Sequence, residues 1–286
     1  MTVLQGFLLG LLQGIAEFLP ISSSGHLALV QHLFGLTDLP LLFDVILHLA
    51  TLLAVILFFW KKIWELLKVF GRWIARRPAP TETSDNLLCK TEKAGRNTII
   101  AIIITTAITG ILGIVSSKLI PELPITFTCG GFIVTACLLI FSHFYEKKNL
   151  NSVKNQENQK KQEGISIPQA ILIGIMQGIG TLQGISRSGS TVTGALFGKV
   201  DRKIAGDYSF IVSIPAILGA FILELKDLDK LTGSIGLLPL IVGFITAFTV
   251  GYGALWLFMG IFKKGKLHWF SLYLIPLGIL GIIFLR

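Results

Sequence analysis

Charge is what this chain has least of. Of its 286 residues only 14% are charged while 52% are hydrophobic, and the mean hydropathy is +0.75. Soluble domains carry about a quarter charged residues, so an ordinary soluble globule is excluded. Cysteine is scarcer still. Cys89, Cys129 and Cys137 form neither a CxxC pair nor a metal-ligand spacing, which argues against a disulfide framework. The first segment lacks a basic leader, and its apolar run is interrupted by Gln5, Gln13 and Glu17, so it does not read as a cleavable signal. Acidic residues number 16 against 25 Lys plus Arg. The basic residues sit in loops between apolar runs rather than in one patch, which excludes nucleic acid as a partner and points to membrane orientation.

What is present is a series of apolar runs of roughly 20 residues, enough to cross a bilayer. The expected fold is an all-α polytopic integral membrane protein with full spans at 41–60, 97–119, 124–146, 205–224, 237–262 and 269–285. Two further segments, 2–30 and 166–198, are apolar but broken by Gly, Ser and, in the first, Pro20. Each reads as a re-entrant helical hairpin, since irregular backbone at membrane depth is tolerated only when buried or facing a wet cavity. The first half is then 1–146, a polar cytoplasmic linker covers 147–165, and the second half is 166–286.

The loops order this arrangement. Residues 61–96 carry nine Lys/Arg, 147–161 five, 199–203 three and 263–266 three, while the alternate loops are poor in them. With six spans and two non-crossing hairpins, every rich loop falls on one side, the cytoplasmic side. Both termini then lie outside. Each half holds an odd number of spans, so the two halves are inverted and the hairpin tips meet near the midplane.

The hairpins are copies of one another. Residues 10–25 (GLLQGIAEFLPISSSG) and 174–189 (GIMQGIGTLQGISRSG) align at an offset of 164 with 8 of 16 positions identical. The shared residues are mostly Gly, Ser and Gln, as expected of a binding site at a repeat interface. Gln13 and Glu17 lie four apart, on one helix face. Pro20 stops that helix. Ser22, Ser23, Ser24, Gly25 and His26 open a second half-helix, whose capped N-terminus suits an anion. In the second copy, Ser186, Arg187, Ser188, Gly189, Ser190 and Thr191 follow Gly184, and Arg187 adds a fork-shaped cation for phosphate oxygens. A carboxylate at Glu17 does not suit an anion by itself. It serves as a general acid or base, or as the ligand of a divalent metal that bridges to phosphate.

These two patterns, Gln13-x-x-x-Glu17-Phe-Leu-Pro-Ile-Ser-Ser-Ser-Gly-His26 and Gly184-Ile-Ser-Arg-Ser-Gly-Ser-Thr191, resemble the signatures of the undecaprenyl-diphosphatase (bacitracin-resistance) family. The resemblance covers nearly the whole chain. It implies a bacterial inner-membrane enzyme that hydrolyses the C55 isoprenyl diphosphate to its monophosphate, recycles the carrier for cell-wall synthesis and protects against bacitracin. It also implies Ser23 and His26 as catalytic serine and histidine, Glu17 as catalytic carboxylate, Arg187 as the phosphate-binding arginine, and Mg²⁺ or Ca²⁺ as cofactor. Gln13, Ser22, Ser24, Gly25, Ser186, Ser188, Gly189, Ser190 and Thr191 are the expected substrate contacts. Gln13 stands where many members carry Glu, which leaves Glu17 to carry any metal largely alone, and Gln183-Gly184 replaces the usual Pro-Gly. Either His26 or Ser23 attacks phosphorus, or His26 serves as acid or base. The expected partners are the isoprenyl diphosphate lipid and membrane lipids, with a homodimer left open.

Plainer roles compete. For Glu17 the plainer alternative, weighed below a functional role, is a helix-packing ion pair with Arg187, and small polar residues let membrane helices approach. Asp44 and His48 share a face and border the entrance or form a structural pair, and Asp207 reads as a cap or ion-pair residue. Trp60, Trp64, Trp73, Tyr145, Trp269 and Tyr273 read as interfacial anchors, and His143 and His268 lie near span ends. An inverted repeat with broken helices also suits a secondary transporter or lipid flippase. The asymmetry of the copies, Glu17 against Thr181 and His26 against Ser190, favours an enzyme.

Overall fold

The computed structural model describes residues 1–36, 39, 41–79, 84–119, 124–153, 164–225 and 236–285, without the side chains of residues 41 and 149–153. The described residues are helical, joined by turns and short irregular segments. Two helix–break–helix units stand out, α1 (Val3–Phe18) with α2 (Ser23–Leu33), and α6 (Ile167–Ile179) with α7 (Arg187–Phe197). The remaining helices are α3 (Leu41–Ile74), α4 (Glu92–Leu119), α5 (Ile125–Val153), α8 (Arg202–Ile211), α9 (Ser213–Glu224), α10 (Leu237–Lys263) and α11 (Ser271–Phe284). A 3₁₀ turn, Leu267–Phe270, leads into α11. Six stretches among the described residues are long and apolar enough to cross a membrane, and the chain is a multi-pass membrane protein.

The expected spans are present with different ends. The first helix continues past residue 60 to Ile74, because its polar end is tied down by Arg72–Glu92 at 2.9 Å and by Ser84–Glu65 at 2.8 Å. The third runs to Val153, so the start of the expected linker 147–165 is helical, while residues 154–163 lie outside the described part. The expected span 205–224 is two helices broken at Val212, where Pro215 has no N–H for the Ile211 carbonyl.

The repeat extends further than the motif. Thr2 and Gln5 close a capping box at the start of α1, with Gln5 N to Thr2 Oγ1 at 3.2 Å and Thr2 N to Gln5 Oε1 at 2.7 Å. Ser166 and Gln169 do the same at the start of α6, with Ser166 N to Gln169 Oε1 at 2.9 Å. Each short apolar helix thus starts with a glutamine turned back onto the N–H of its cap residue.

Glycines then set how closely the helices approach. A Cβ on Gly6, Gly10 or Gly14 would strike the backbone of Pro239, Gly243 or Ala247 respectively, so α1 and α10 run side by side with residue numbers rising together. The second unit repeats this with α4. Thr105 Oγ1 donates to the Ala170 carbonyl at 2.9 Å, Thr109 Oγ1 to the Gly174 carbonyl at 3.3 Å, and Gly178 sits on Leu112. Helices α5 and α11 run antiparallel, with Gly278 against Cys129 and Ser271 Oγ donating to the Ala136 carbonyl at 3.0 Å. Every one of these contacts joins an early helix to a late one. The two copies interlock rather than forming separate globules.

Near the basic loops, Lys62 pairs with Asp207 and Arg202 with Glu146, tying α3 and α5 to α8. Burial of these helix faces brings the two breaks together: the ring of Pro20 lies against Gly189, and Gly25 lies against Gly184 and Phe132.

Candidate active site

The first break is made by two unusual residues in succession. Pro20 ends α1, and Ser22 takes φ 71°, a conformation that L-residues pay to adopt. Its hydroxyl then accepts the Gly25 N–H at 3.3 Å and starts α2. The second break needs the left-handed conformation earlier, at Gly184 (φ 88°), which leaves Ser186 in ordinary extended geometry to cap the Gly189 N–H at 3.1 Å. Any side chain at Gly184 would also strike the Thr128 carbonyl.

Glu17 stands at the end of α1, buried, with both oxygens engaged. Oε1 pairs with the Arg187 guanidinium from the other copy. Oε2 accepts the Ser23 hydroxyl at 2.6 Å and Gln13 Nε2 at 3.1 Å, and His48 Nε2 lies 3.4 Å away. One carboxylate therefore joins both breaks and α3. The ion pair envisaged as a packing alternative is present, and it sits at the meeting point of the tips. Arg187 is a cation that an incoming phosphate can share or take over.

His26 belongs to a separate arrangement. Its Nδ1 lies 2.8 Å from the Ser22 carbonyl and its Nε2 2.9 Å from the Tyr273 hydroxyl. Its ring stacks on Tyr273 at 5.7 Å between centroids and 19° between planes, and meets Phe132 at 4.9 Å. It hydrogen-bonds Ser22 and Tyr273, not Ser23.

The other expected contacts divide. Gly25 and Gly189 carry the capped N–H groups, and Ser24 is half-exposed beside them. Ser186 and Ser188 hydroxyls lie 3.2 Å apart, and the Ser186 N–H donates to Thr135 Oγ1 at 2.9 Å. Ser190 is fully buried and its hydroxyl has no partner among the described residues. Thr191 turns away from Glu17. Its hydroxyl donates to the Arg187 carbonyl at 2.6 Å and lies 3.3 Å from Gln177 Oε1, and Gln177 Nε2 in turn donates to Thr109 at 2.9 Å. The two repeated glutamines thus part company, Gln13 toward the carboxylate and Gln177 into the α4 contact.

Two site neighbours escaped the sequence reading. Tyr273, read as a surface anchor, sits on His26 from a position 247 residues away, and no local pattern signals that contact. His48, read with Asp44 at the entrance, reaches Glu17. Its Nδ1 faces the Asp44 carbonyl at 2.7 Å, and the Asp44 carboxylate accepts Gln31 Nε2 at 2.7 Å. The i, i+4 spacing of Asp44 and His48 was the available signal.

A divalent cation would find two candidate oxygen donors here, on Gln13 and Glu17. Among the described residues no group of three or more His, Cys, Asp or Glu side chains gathers as a protein-only cage. Gln13 Oε1, however, is buried without a hydrogen-bond partner on the helix turn before Glu17. Flipping the amide would set that oxygen against the carboxylate, so the orphan is its stable orientation. An amide oxygen and one carboxylate, completed by phosphate oxygens and water, is a ligand set that Mg²⁺ and Ca²⁺ accept.

The family model described as "Bacitracin resistance protein BacA" matches residues 6–280. A protein named undecaprenyl-diphosphatase from Treponema denticola is 44% identical over 279 residues, covering 98% of this chain and 96% of that protein. Proteins of the same name from Methanosphaera stadtmanae and Carboxydothermus hydrogenoformans are 38% and 35% identical, each covering 98% of this chain and 97% and 96% of their own length.

Proposed function

The chain belongs to the bacitracin resistance protein BacA family, and from that premise we propose that it hydrolyses undecaprenyl diphosphate to undecaprenyl phosphate and orthophosphate. The lipid carrier so recycled serves cell-wall synthesis, and removing the diphosphate deprives bacitracin of its target. The observation that carries the site assignment is the convergence of Glu17, Ser23 and Arg187 from two distant breaks.

The hairpins are re-entrant and the repeat is inverted. The parallel pairing of α1 with α10 and of α6 with α4 supports this, because each half-helix then follows a full span of the opposite half. With the basic loops cytoplasmic, both termini lie outside a bacterial inner membrane and the site opens to the outer face.

Arg187 and the N–H groups at the starts of α2 and α7 hold the phosphates and stabilise the charge that grows as the bridging P–O bond breaks. Phosphate binding draws Arg187 away from Glu17. The freed carboxylate then accepts the Ser23 proton, the serine oxygen bonds to the terminal phosphorus, and the bridging oxygen leaves with its electron pair on undecaprenyl phosphate. Water subsequently attacks the phosphoserine and releases orthophosphate. In this scheme His26 accepts a proton at Nε2 from the water that attacks the phosphoserine. A divalent cation held by Glu17 and Gln13 would supply further charge neutralisation on the phosphate oxygens.

Rapid quench of purified protein with the C55 diphosphate labelled on its terminal phosphate tests this scheme. The expected result is label on Ser23, and orthophosphate release that EDTA diminishes. Label on His26 would reverse the roles of the two residues, and unchanged release in EDTA would remove the metal.

A further inference from the structure

We propose that Tyr273 is a positioning residue for His26, one that fixes which ring nitrogen is reactive. This rests on the phosphatase reading above and assigns a part of that site to α11, which neither repeated motif supplies.

The argument starts from hydrogen-bond inventory. The group facing His26 Nδ1 is the Ser22 carbonyl at 2.8 Å, which can only accept. The Nδ1 proton is therefore required. Among the described residues, neither ring nitrogen hydrogen-bonds a carboxylate that would balance a cation. Phe132 lies against one side of the ring at 4.9 Å and Tyr273 stacks on it at 5.7 Å. The ring is thus neutral, with its lone pair at Nε2. The group at Nε2 is the Tyr273 hydroxyl at 2.9 Å, and it must donate. Both nitrogens are assigned by their partners, and the stacked ring fixes the plane between them.

This has a consequence for catalysis. The one basic nitrogen of His26 is held in direction by a hydroxyl that can be exchanged for an O–H of water or of a substrate phosphate. Tyr273 is half-exposed, so its hydroxyl can give way without unpacking the buried face of α11. Without that hydroxyl the imidazole keeps its Nδ1 bond and loses the restraint on Nε2. Substrate binding, which rests on Arg187 and the helix N-termini, is not touched.

The test is Tyr273→Phe, which keeps the stacked ring and removes only the oxygen, with Tyr252→Phe as a control on a tyrosine that meets Phe58 edge-on instead. Orthophosphate release from the C55 diphosphate is expected to fall about tenfold in kcat with KM within about twofold, the worth of one hydrogen bond. The ¹⁵N spectrum of histidine-labelled protein supplies a readout independent of turnover. His26, assigned by difference from His26→Gln, should show a protonated Nδ1 and a hydrogen-bonded bare Nε2 in the parent, and its Nε2 resonance should move in Tyr273→Phe. A parent that releases no phosphate would defeat the phosphatase reading itself. An active parent with unchanged kcat in Tyr273→Phe, or with an unmoved Nε2 resonance, would overturn this inference alone. Equal losses in Tyr273→Phe and Tyr252→Phe would do so too.

Discussion

At the scale of single residues, the first break stores strain at Ser22. Its φ of 71° costs about 1–3 kcal/mol, while its hydroxyl caps α2. Glycine removes the strain and forfeits the cap, whereas alanine keeps the strain and also forfeits the cap. Ser22→Gly is therefore expected to melt above Ser22→Ala, by several degrees in a thermal scan of detergent-solubilised protein. Cys89 gives a second residue-level expectation. Burial, with the Glu65 carboxylate beside it, pushes its thiol up to about 12, so almost no thiolate exists at pH 8. Maleimide should leave Cys89 unmodified in the folded protein at pH 8 and react once the protein is denatured, where the thiol returns to its ordinary range. Fast labelling of Cys89 itself in the native protein would contradict that burial. The identities of Glu17, Ser23, His26 and Arg187 were legible in the sequence because ionisable and hydroxyl groups inside apolar runs are costly without a task. The direction of their side chains was not. That His26 turns to Tyr273 rather than to Ser23, and that Gln177 turns from the site, depends on helices far away in the chain.

At the scale of elements, backbone contact governs. The face of α1 that meets α10 is a row of glycines every fourth residue, and a Cβ at Gly10 would strike the Gly243 carbonyl. Gly10→Ala should destabilise the protein by about 1–3 kcal/mol through forced separation of two helices. Gly253→Ala on α10, where a Cβ meets nothing, should leave the melting temperature within about a degree. Equal effects at both positions would refute the close approach. The breaks were legible from Pro20 and Gly184, and the duplicated capping boxes at Thr2/Gln5 and Ser166/Gln169 were in plain sight beyond the aligned window. The break at Val212 was less so. Pro215 is the only local cue, and in an otherwise apolar run one proline is compatible with a kinked single helix.

At the scale of the whole molecule, the arrangement follows from two short helices that cannot cross a membrane alone. Each is 16 or 13 residues long, and each lies along a full span of the other half. Their broken ends therefore meet inside the protein, where a carboxylate from one and a guanidinium from the other neutralise each other. Removing one partner leaves a buried charge unpaired, at about 3–5 kcal/mol, whereas removing both restores part of that loss. Unfolding of Glu17→Gln, Arg187→Gln and the double variant should show this non-additivity. The central claim, that one phosphate site is assembled from the two copies, is tested most directly by orthophosphate release from the C55 isoprenyl diphosphate. Parent, Glu17→Ala and Arg187→Ala are compared after each is shown to be folded. The account predicts turnover by the parent and a loss of about 10³-fold in each variant, although the two residues stand 170 positions apart. Full activity in either folded variant would contradict it.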